Sequence, residues 1–280
     1  MFGSALLLAL PGCTCAPSAT ALHEAVVAGD LEKVESLLGR GAEVDVRDSQ
    51  ERTPLHIAAS SQQFQIAHLL LEKGADVHAR DEGGRTPLHL APDVRSNGEV
   101  ITVLLRGGAD VEARDDEGRT PLHYDSHQKA ARLLIGAGAD PRAVDDRGWT
   151  PLHYALDKGR GAKSILLLKM GADVNARGKR GRAPLHVAAT DPSSALMSTL
   201  FKYDCELDLQ DDEGATAMHV AVAVGSRRIV KLLIDQGANQ EIEDSQGRTP
   251  LELAKELDRK PVIRIFEPPW KQQLQKRQNN

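Results

Sequence analysis

The chain has 280 residues, of which 41% are hydrophobic and 27% charged, so it has enough apolar material to fold and too much for a solvated, disordered coil. Aromatic residues make up only 3%, which favours a thin layer packed by leucine and alanine, and hence an extended shape. The net charge of -5 repels phosphate and argues against nucleic-acid binding. No apolar run approaches the roughly 18 residues that a transmembrane helix needs.

The leader, residues 1–19, has two interpretations. A short apolar stretch runs into Leu-Pro-Gly-Cys at 10–13, which resembles a bacterial lipoprotein cleavage box with Cys13 as the acylated residue. The segment before that stretch carries no Lys or Arg, unlike a signal peptide, so the other interpretation is a frayed terminus or an apolar cap on the first helices. We favour a cytoplasmic location over lipid-anchored export, and mass spectrometry of the N-terminus distinguishes the two.

A four-residue phrase, in most copies Thr-Pro-Leu-His, recurs along the chain with a spacing of 30 to 34 residues, most often 33. Its first residues are Thr20, Thr53, Thr86, Thr120, Thr150, Ala183, Thr216 and Thr249. A second phrase, in most copies Gly-Ala followed by an acidic residue or Asn, comes at a fixed offset after it. Eight copies in register at this period predict a repeat protein.

Each copy predicts two helices and a hairpin-like connection. In the second copy Thr53 is placed to cap a helix by accepting a bond from a backbone N–H, and Pro54 suits the first helical position. That helix is predicted to reach about Ser60, and an amphipathic second helix spans about 64–73. Gly74 then supplies a left-handed cap. Since roughly 33 residues cannot bury this apolar face alone, the units must stack on one another.

These two phrases resemble the ankyrin-repeat family, and the resemblance covers residues 20 to about 266. It implies an all-α solenoid of helix–helix–hairpin units, which we place at 20–269 as eight units, before a polar, disordered tail at 270–280. It also implies a non-enzymatic scaffold that binds a partner protein through its hairpin tips and concave face. We expect a monomer. The alternatives are an exported, lipid-anchored binding protein and, third, an enzyme of unknown type.

Two adjacent units depart from the pattern. Repeat four is three residues short and has Asp125 where neighbouring units have alanine, which predicts a shortened first helix. Repeat five has Lys163 and Ser164 where repeat two has Ile66 and Ala67. We therefore expect poor packing here, and we expect Lys163→Ile to stabilise the fold by about 1 kcal/mol if the site is half-buried.

The histidines of the repeated phrase do not suggest a metal site. Packed helices lie about 8 to 10 Å apart, whereas zinc ligands converge within about 2 Å of one ion. The resemblance implies instead that each His hydrogen-bonds locally with its turn. The sequence has no phosphate-binding loop, nucleophile elbow or calcium loop, so we expect no catalytic residue, metal or cofactor.

Three further residues have local interpretations. Tyr124 and Tyr154, which follow the repeat His, are interpreted as packing residues. Asn175 matches a hairpin asparagine that is hydroxylated in some animal ankyrin repeats, and its ordinary role is turn geometry.

The candidate binding residues lie in the hairpins. The residue before each phrase is Arg in most copies and Trp149 in one, and Trp and Arg are enriched at binding hot spots. The next hairpin, 177–182, carries +4, against -1 for 144–149 and -3 for 210–215. Gly178 replaces the turn Asp there, so the cations of that hairpin lack a carboxylate in their own turn. These cations are Arg177, Lys179, Arg180 and Arg182.

We expect these four cations and Trp149 to bind an acidic segment of a partner protein, with the cations steering association and Trp149 as the anchor. The alternative is a solvated charged loop beside a tryptophan that shields its own hairpin.

Overall fold

The computed structural model describes residues 19–92, 98–124, 127–191 and 194–267. Cys13 and the rest of the leader up to residue 18, together with Asp125 and the tail, lie outside these ranges, and what the sequence predicts for them stays a prediction.

Over the described residues, the chain forms fifteen α-helices and two 3-10 turns, with no β-strand. The helices are α1 (Ala19–Ala28), α2 (Leu31–Gly39), α3 (Pro54–Ser60), α4 (Phe64–Glu72), α5 (Pro87–Leu90), α6 (Glu99–Arg106), α7 (Gln128–Gly136), α8 (Pro151–Asp157), α9 (Gly161–Lys169), α10 (Pro184–Ala188), α11 (Ala195–Leu200), α12 (Ala217–Val224), α13 (Arg227–Asp235), α14 (Pro250–Glu256) and α15 (Lys260–Phe266). The 3-10 turns are Pro121–His123 and Lys179–Gly181. This architecture confirms the predicted all-α solenoid.

The helices form antiparallel pairs, a short first helix followed by a second helix, as α3 and α4 do. The turn Pro121–His123 takes the place of the first helix in the fourth pair, so the prediction of a shortened helix there is confirmed. Second helices bury one face: α4 buries Ile66, Ala67 and Leu70. Gly74 has φ +86, the left-handed conformation that lets the chain leave α4 and enter the hairpin.

The core is one continuous layer along the stack. First helices contact the first helices of the next pair, as α3 does with α5, and second helices do the same, as α4 does with α6. The buried residues are mainly leucine, alanine, valine and isoleucine. Each pair therefore buries its apolar face against a neighbour, and its stability depends on the pairs beside it.

The histidine of each phrase joins one repeat to the next. In the second repeat the backbone N–H of Thr53 donates to Nδ1 of His56 at 3.1 Å, which places the ring proton on Nε2. That Nε2–H donates to the carbonyl of Arg85, in the following hairpin, at 2.9 Å. The same two bonds recur, with Nε2–O distances of 2.9 to 3.1 Å, at His89, His123, His153, His186 and His219. The local role expected of the repeat histidine is confirmed.

The threonine hydroxyls lie at the start of the first helices, as predicted. In the copy at Thr53 the threonine and His56 form a capping box, and the hydroxyl also lies 2.9 Å from Nδ1 of His56. Thr249, where Glu252 replaces the histidine, accepts the N–H of Glu252 at 3.3 Å.

Acid should destabilise the fold through these histidines. Burial lowers the pKa of all six, to about 4 for His123. Between about pH 6.5 and about 4 the unfolded chain binds more protons than the folded chain, so the free energy of unfolding should fall as the pH falls through this window. His56→Gln should lower the measured proton uptake on unfolding, because burial lowers the pKa of His56.

Urea denaturation at a series of pH values measures that uptake. A stability that is constant from pH 6.5 to 4 in the parent chain would contradict the assignment of neutral, Nε2-protonated rings.

Lys163 ties α9 to the shortened fourth unit. The residue is 2% exposed, and its Nζ donates to the carbonyl oxygens of Leu122 at 2.9 Å and Tyr124 at 2.6 Å. In a full-length helix such carbonyls accept backbone N–H groups one turn further on, and here the ammonium of Lys163 binds them. The condition of a half-buried site does not hold, because Lys163 is almost fully buried and its ammonium binds two carbonyls of the shortened unit.

Lys163→Ile should therefore destabilise the protein, by about 2 kcal/mol or more, because it leaves buried carbonyls without donors. The control is Lys169→Ile, since Lys169 is an exposed lysine of the same helix. Urea denaturation gives both values. A Lys163→Ile variant at least as stable as the parent would restore the interpretation drawn from the sequence.

Candidate protein-binding surface

A repeated ion pair closes most hairpins. In four of them the arginine before the phrase donates from Nε to an aspartate Oδ2 four residues earlier, at 2.8 to 3.0 Å. The pairs are Arg52–Asp48, Arg85–Asp81, Arg119–Asp115 and Arg248–Asp244. Burial alone would raise the pKa of these carboxyl groups, but the arginine and backbone hydrogen bonds outweigh it and hold each pKa below its usual value.

Trp149 replaces the arginine in the hairpin of Asp145, and a tyrosine supplies the missing donor. The hydroxyl of Tyr154 donates to Asp145 Oδ2 at 2.7 Å. Tyr124 binds Asp115 Oδ2 in the same way, at 2.5 Å, although Arg119 is present there. The interpretation of both tyrosines as packing residues is therefore incomplete, since each also hydrogen-bonds a turn carboxylate.

The indole of Trp149 lies against the next hairpin. It stacks on His153, with ring centres 5.6 Å apart, and meets the ring of Tyr154 edge-on at 5.1 Å. A Cβ at Gly178 would lie 2.6 Å from Cδ1 of Trp149, so only glycine leaves room for the indole at this position. The replacement of the turn aspartate by Gly178 thus makes room for the indole of Trp149 and also removes a carboxylate.

The four predicted cations occupy two environments. Arg177, Lys179 and Arg180 are exposed, and Arg177 donates to the carbonyl of Gln210 at 2.7 Å. Arg182 is half-buried, and its Nε lies 3.6 Å from Oδ2 of Asp211 in the following hairpin. Three cations are therefore presented to solvent, whereas the fourth faces a carboxylate of its neighbour.

Hairpins are linked to one another by two series of hydrogen bonds. In one, a backbone N–H of one hairpin donates to a carbonyl of the preceding hairpin, as Asp146 does to Glu117 at 3.0 Å. In the other, an arginine or glutamine side chain donates to a carbonyl of the next hairpin, as Arg114 does to Val144 at 2.7 Å.

Both series are interrupted between hairpins 144–149 and 177–182, which we call the Trp149 junction. Among the described residues, no hydrogen bond of either series crosses it. Val144, 47% exposed, stands where the hairpins that make the second series of bonds have an arginine or glutamine. The junction depends instead on packing of Trp149 and on the bond from Nε2 of His153 to the carbonyl of Arg182, at 3.0 Å. Charge counts along the sequence do not reveal this interruption, although Val144 indicates it.

Asn175 has a structural role at a neighbouring connection. Its Oδ1 accepts the backbone N–H of Glu206 at 2.9 Å, and its own N–H donates to Asp173. Its amide therefore links two consecutive units, in agreement with the turn interpretation.

Within the ranges that the structure describes, no group of three or more His, Cys, Asp or Glu side chains is placed to hold a metal ion. Over the same ranges, no helix has the length and apolar character needed to cross a membrane.

The fold and the histidine links define a stacked helix-pair repeat protein. The family model for ankyrin repeats matches residues 5–81, 22–115, 78–145, 93–178, 125–211 and 185–267, and the chain belongs to the ankyrin-repeat family. Ankyrin repeats generally mediate protein–protein interaction, and proteins built from them are generally non-enzymatic scaffolds. No curated protein matches the chain.

Mutations of this chain can test whether Tyr154 replaces the arginine that the hairpin of Trp149 lacks. Tyr154→Phe should cost about 1 to 2 kcal/mol of unfolding free energy, because Asp145 Oδ2 then loses its donor. Adding Trp149→Arg should recover part of that loss by rebuilding the ion pair found in the other hairpins. Tyr203→Phe is the matched control, since no hydrogen bond of the Tyr203 hydroxyl occurs within the described residues.

Chemical denaturation of the parent, Tyr154→Phe, Trp149→Arg and the double variant gives the coupling energy as a double-mutant cycle. If Tyr154→Phe costs no more than Tyr203→Phe, the tyrosine does not replace the arginine.

Proposed function

We propose that this chain is a non-enzymatic scaffold that binds a partner protein at the Trp149 junction, where it takes an acidic segment of that partner. The observation that carries the proposal is the combination of a partly exposed indole with three exposed cations that have no carboxylate in their own turn. Trp and Arg contribute most strongly to binding when a partner excludes water from them.

The charge distribution favours an acidic ligand at this place. Arg177, Lys179 and Arg180 make no ion pair within the described residues, unlike the arginines of the four paired hairpins. The hairpins on either side of 177–182, which are 144–149 and 210–215, are net negative, at -1 and -3. Because like charges repel, these two hairpins favour an acidic segment placed on hairpin 177–182 and disfavour the same segment shifted to a neighbouring hairpin.

The interrupted bonding supports the same location. Elsewhere the hairpins are joined by backbone and side-chain hydrogen bonds, and at the Trp149 junction by packing of Trp149 and a single histidine bond. Side-chain packing adjusts to a ligand more readily than a continuous series of hydrogen bonds. The junction thus combines the chemistry for binding with the least constrained contact between hairpins.

Charge reversal tests the proposal on a partner obtained by affinity capture from the native organism and then purified. Lys179→Glu with Arg180→Glu should lower the association rate constant by about tenfold at low salt and flatten its salt dependence. The control is Arg227→Glu with Arg228→Glu, an equal charge change on exposed adjacent arginines at the start of α13. Association is measured by stopped-flow fluorescence or biosensor kinetics.

Trp149→Ala should act mainly on dissociation, raising its rate constant by about tenfold or more, in a chain whose folding is checked by circular dichroism. Unchanged kinetics in both the Trp149 and the Lys179/Arg180 variants would place the contact surface elsewhere. An equal slowing by the α13 control would show that the net charge of the chain, rather than the junction, controls association.

A further inference from the structure

One hairpin has the aspartate of the repeated ion pair without its arginine. Asp211 occupies the aspartate position, and Ala215 stands where the paired hairpins have arginine. The carboxylate is 2% exposed, and its Oδ1 accepts the N–H groups of Glu213 and Ala215 at 3.0 and 2.9 Å. Within the described part of the chain, Oδ2 accepts no hydrogen bond.

Arg182 approaches this carboxylate without completing the pair. Its Nε lies 3.6 Å from Oδ2, beyond hydrogen-bond distance, and is itself buried with no hydrogen-bond partner. In three of the four intact pairs the guanidinium directs two nitrogens to this one oxygen, as Arg248 does through Nε at 3.0 Å and Nη2 at 2.7 Å to Asp244. Asp211 therefore lacks the two-nitrogen contact for which the hairpin is built.

A cavity of about 270 Å³ lies beside Asp211 and Ala215, the two residues that the missing arginine would bridge. Val220 and Leu253 contribute apolar surface to it, which suits the methylene groups of a long side chain. Val220 is five residues after Ala215, as Tyr124 is five after Arg119, whose guanidinium carbon lies 5.0 Å from the centre of that tyrosine ring. The cavity thus has a buried carboxylate and apolar surface where the paired hairpins hold their own arginine.

The charges around the cavity favour a cation. Asp211, Glu213 and Asp244 line it together with Arg182 and Arg248. Arg248 is already bound to Asp244 at 2.7 Å and to Glu256 at 3.0 Å. The hairpin 210–215 carries -3, the opposite sign to the +4 of 177–182.

We propose that this cavity is a receptor for an arginine side chain of a partner protein, which supplies in trans the guanidinium that Ala215 lacks. Its two nitrogens bind Oδ2 of Asp211, and its stem lies along Val220 and Leu253. A planar guanidinium can direct two donors to one carboxylate with fixed geometry, whereas an ammonium is a single point charge. The site shares Arg182 with the Trp149 junction but does not rest on the function proposed for that junction.

A small probe tests this site without any partner. The probe is N-acetyl-arginine methylamide, titrated into the full-length, ¹⁵N-labelled chain and followed by amide chemical shifts. We expect saturable shifts centred on Asp211, Ala215 and Val220. The corresponding lysine derivative should bind at least about tenfold more weakly, because it cannot form the two-nitrogen contact.

Ala215→Arg fills the cavity with the chain's own arginine. It should keep the fold, since it completes the ion pair of the other hairpins, and should weaken binding of the arginine probe by about tenfold or more. Asp211→Asn, which keeps the acceptor for the turn N–H groups, should have the same effect on the probe. The matched control is Asp212→Asn, an equal charge change on an exposed neighbour that does not line the cavity.

The proposal is overturned if the parent shows no saturable shifts, or if Ala215→Arg binds the arginine probe as well as the parent does. Equal binding of the lysine and arginine probes would show general attraction of cations to an acidic hairpin and would also overturn it. Should Ala215→Arg fail to fold, the comparison of Asp211→Asn with Asp212→Asn decides the question.

Discussion

The hydrogen bond from each repeat histidine to the next hairpin is the interaction on which the rest of the structure depends. One helix pair cannot bury its own apolar face, so it needs a neighbour held at a fixed distance and orientation. Nδ1 of His56 accepts the backbone N–H at the start of its own helix, and Nε2 donates to the carbonyl of Arg85 in the next unit. A single neutral ring therefore fixes both the start of a helix and the position of the following hairpin.

The histidine bonds form a constant framework, whereas the arginine–aspartate pairs of the hairpins vary along the stack. The histidine bonds are present at six consecutive units, including the one with Ala183 in place of threonine, where His186 still accepts the backbone N–H at 3.1 Å. The arginine–aspartate pairs, by contrast, are incomplete at the hairpins of Trp149, Gly178 and Ala215. Because the helices do not depend on these pairs, the hairpins can change chemistry while the stack stays intact.

Incomplete units are compensated by side chains from outside the altered turn. Tyr154 supplies the donor that Trp149 removes, and Lys163 binds two carbonyls of the shortened fourth unit. At Asp211 the compensation is incomplete, because Arg182 stops at 3.6 Å. Both proposed binding sites lie where the repeated pairing of the hairpins is broken, one at the Trp149 junction and the other beside Ala215.

The sequence predicted the framework well, because its signals are local. Thr53-Pro54 marks the start of α3, and Gly74 marks the exit from α4, each within a few residues of the structure it determines. The role of Lys163 could not be predicted in this way. Its acceptors lie 39 and 41 residues away, and a lysine in an apolar pattern gives no sign of which carbonyls it will reach.

The candidate site was predicted in part. Charge counts identified the exposed cations of hairpin 177–182, and the exchange of Asp for Gly178 was visible. The packing of the indole on Gly178 and the missing hydrogen bonds depend on the three-dimensional placement of neighbouring hairpins. The sequence shows that Ala215 replaces the hairpin arginine, but it does not show whether other side chains fill the space of that arginine or leave a cavity.

If partners bind at the altered hairpins, as we propose, and not on the second helices of the stack, a bound partner should cover those hairpins. Amide hydrogen exchange, measured for the full chain alone and saturated with its purified partner, shows which surface is covered. We expect added protection concentrated in residues 140–149 and 173–182, with 206–215 also protected where the partner inserts an arginine. Protection confined to α7, α9 and α13, with these hairpins unchanged, would contradict the proposal.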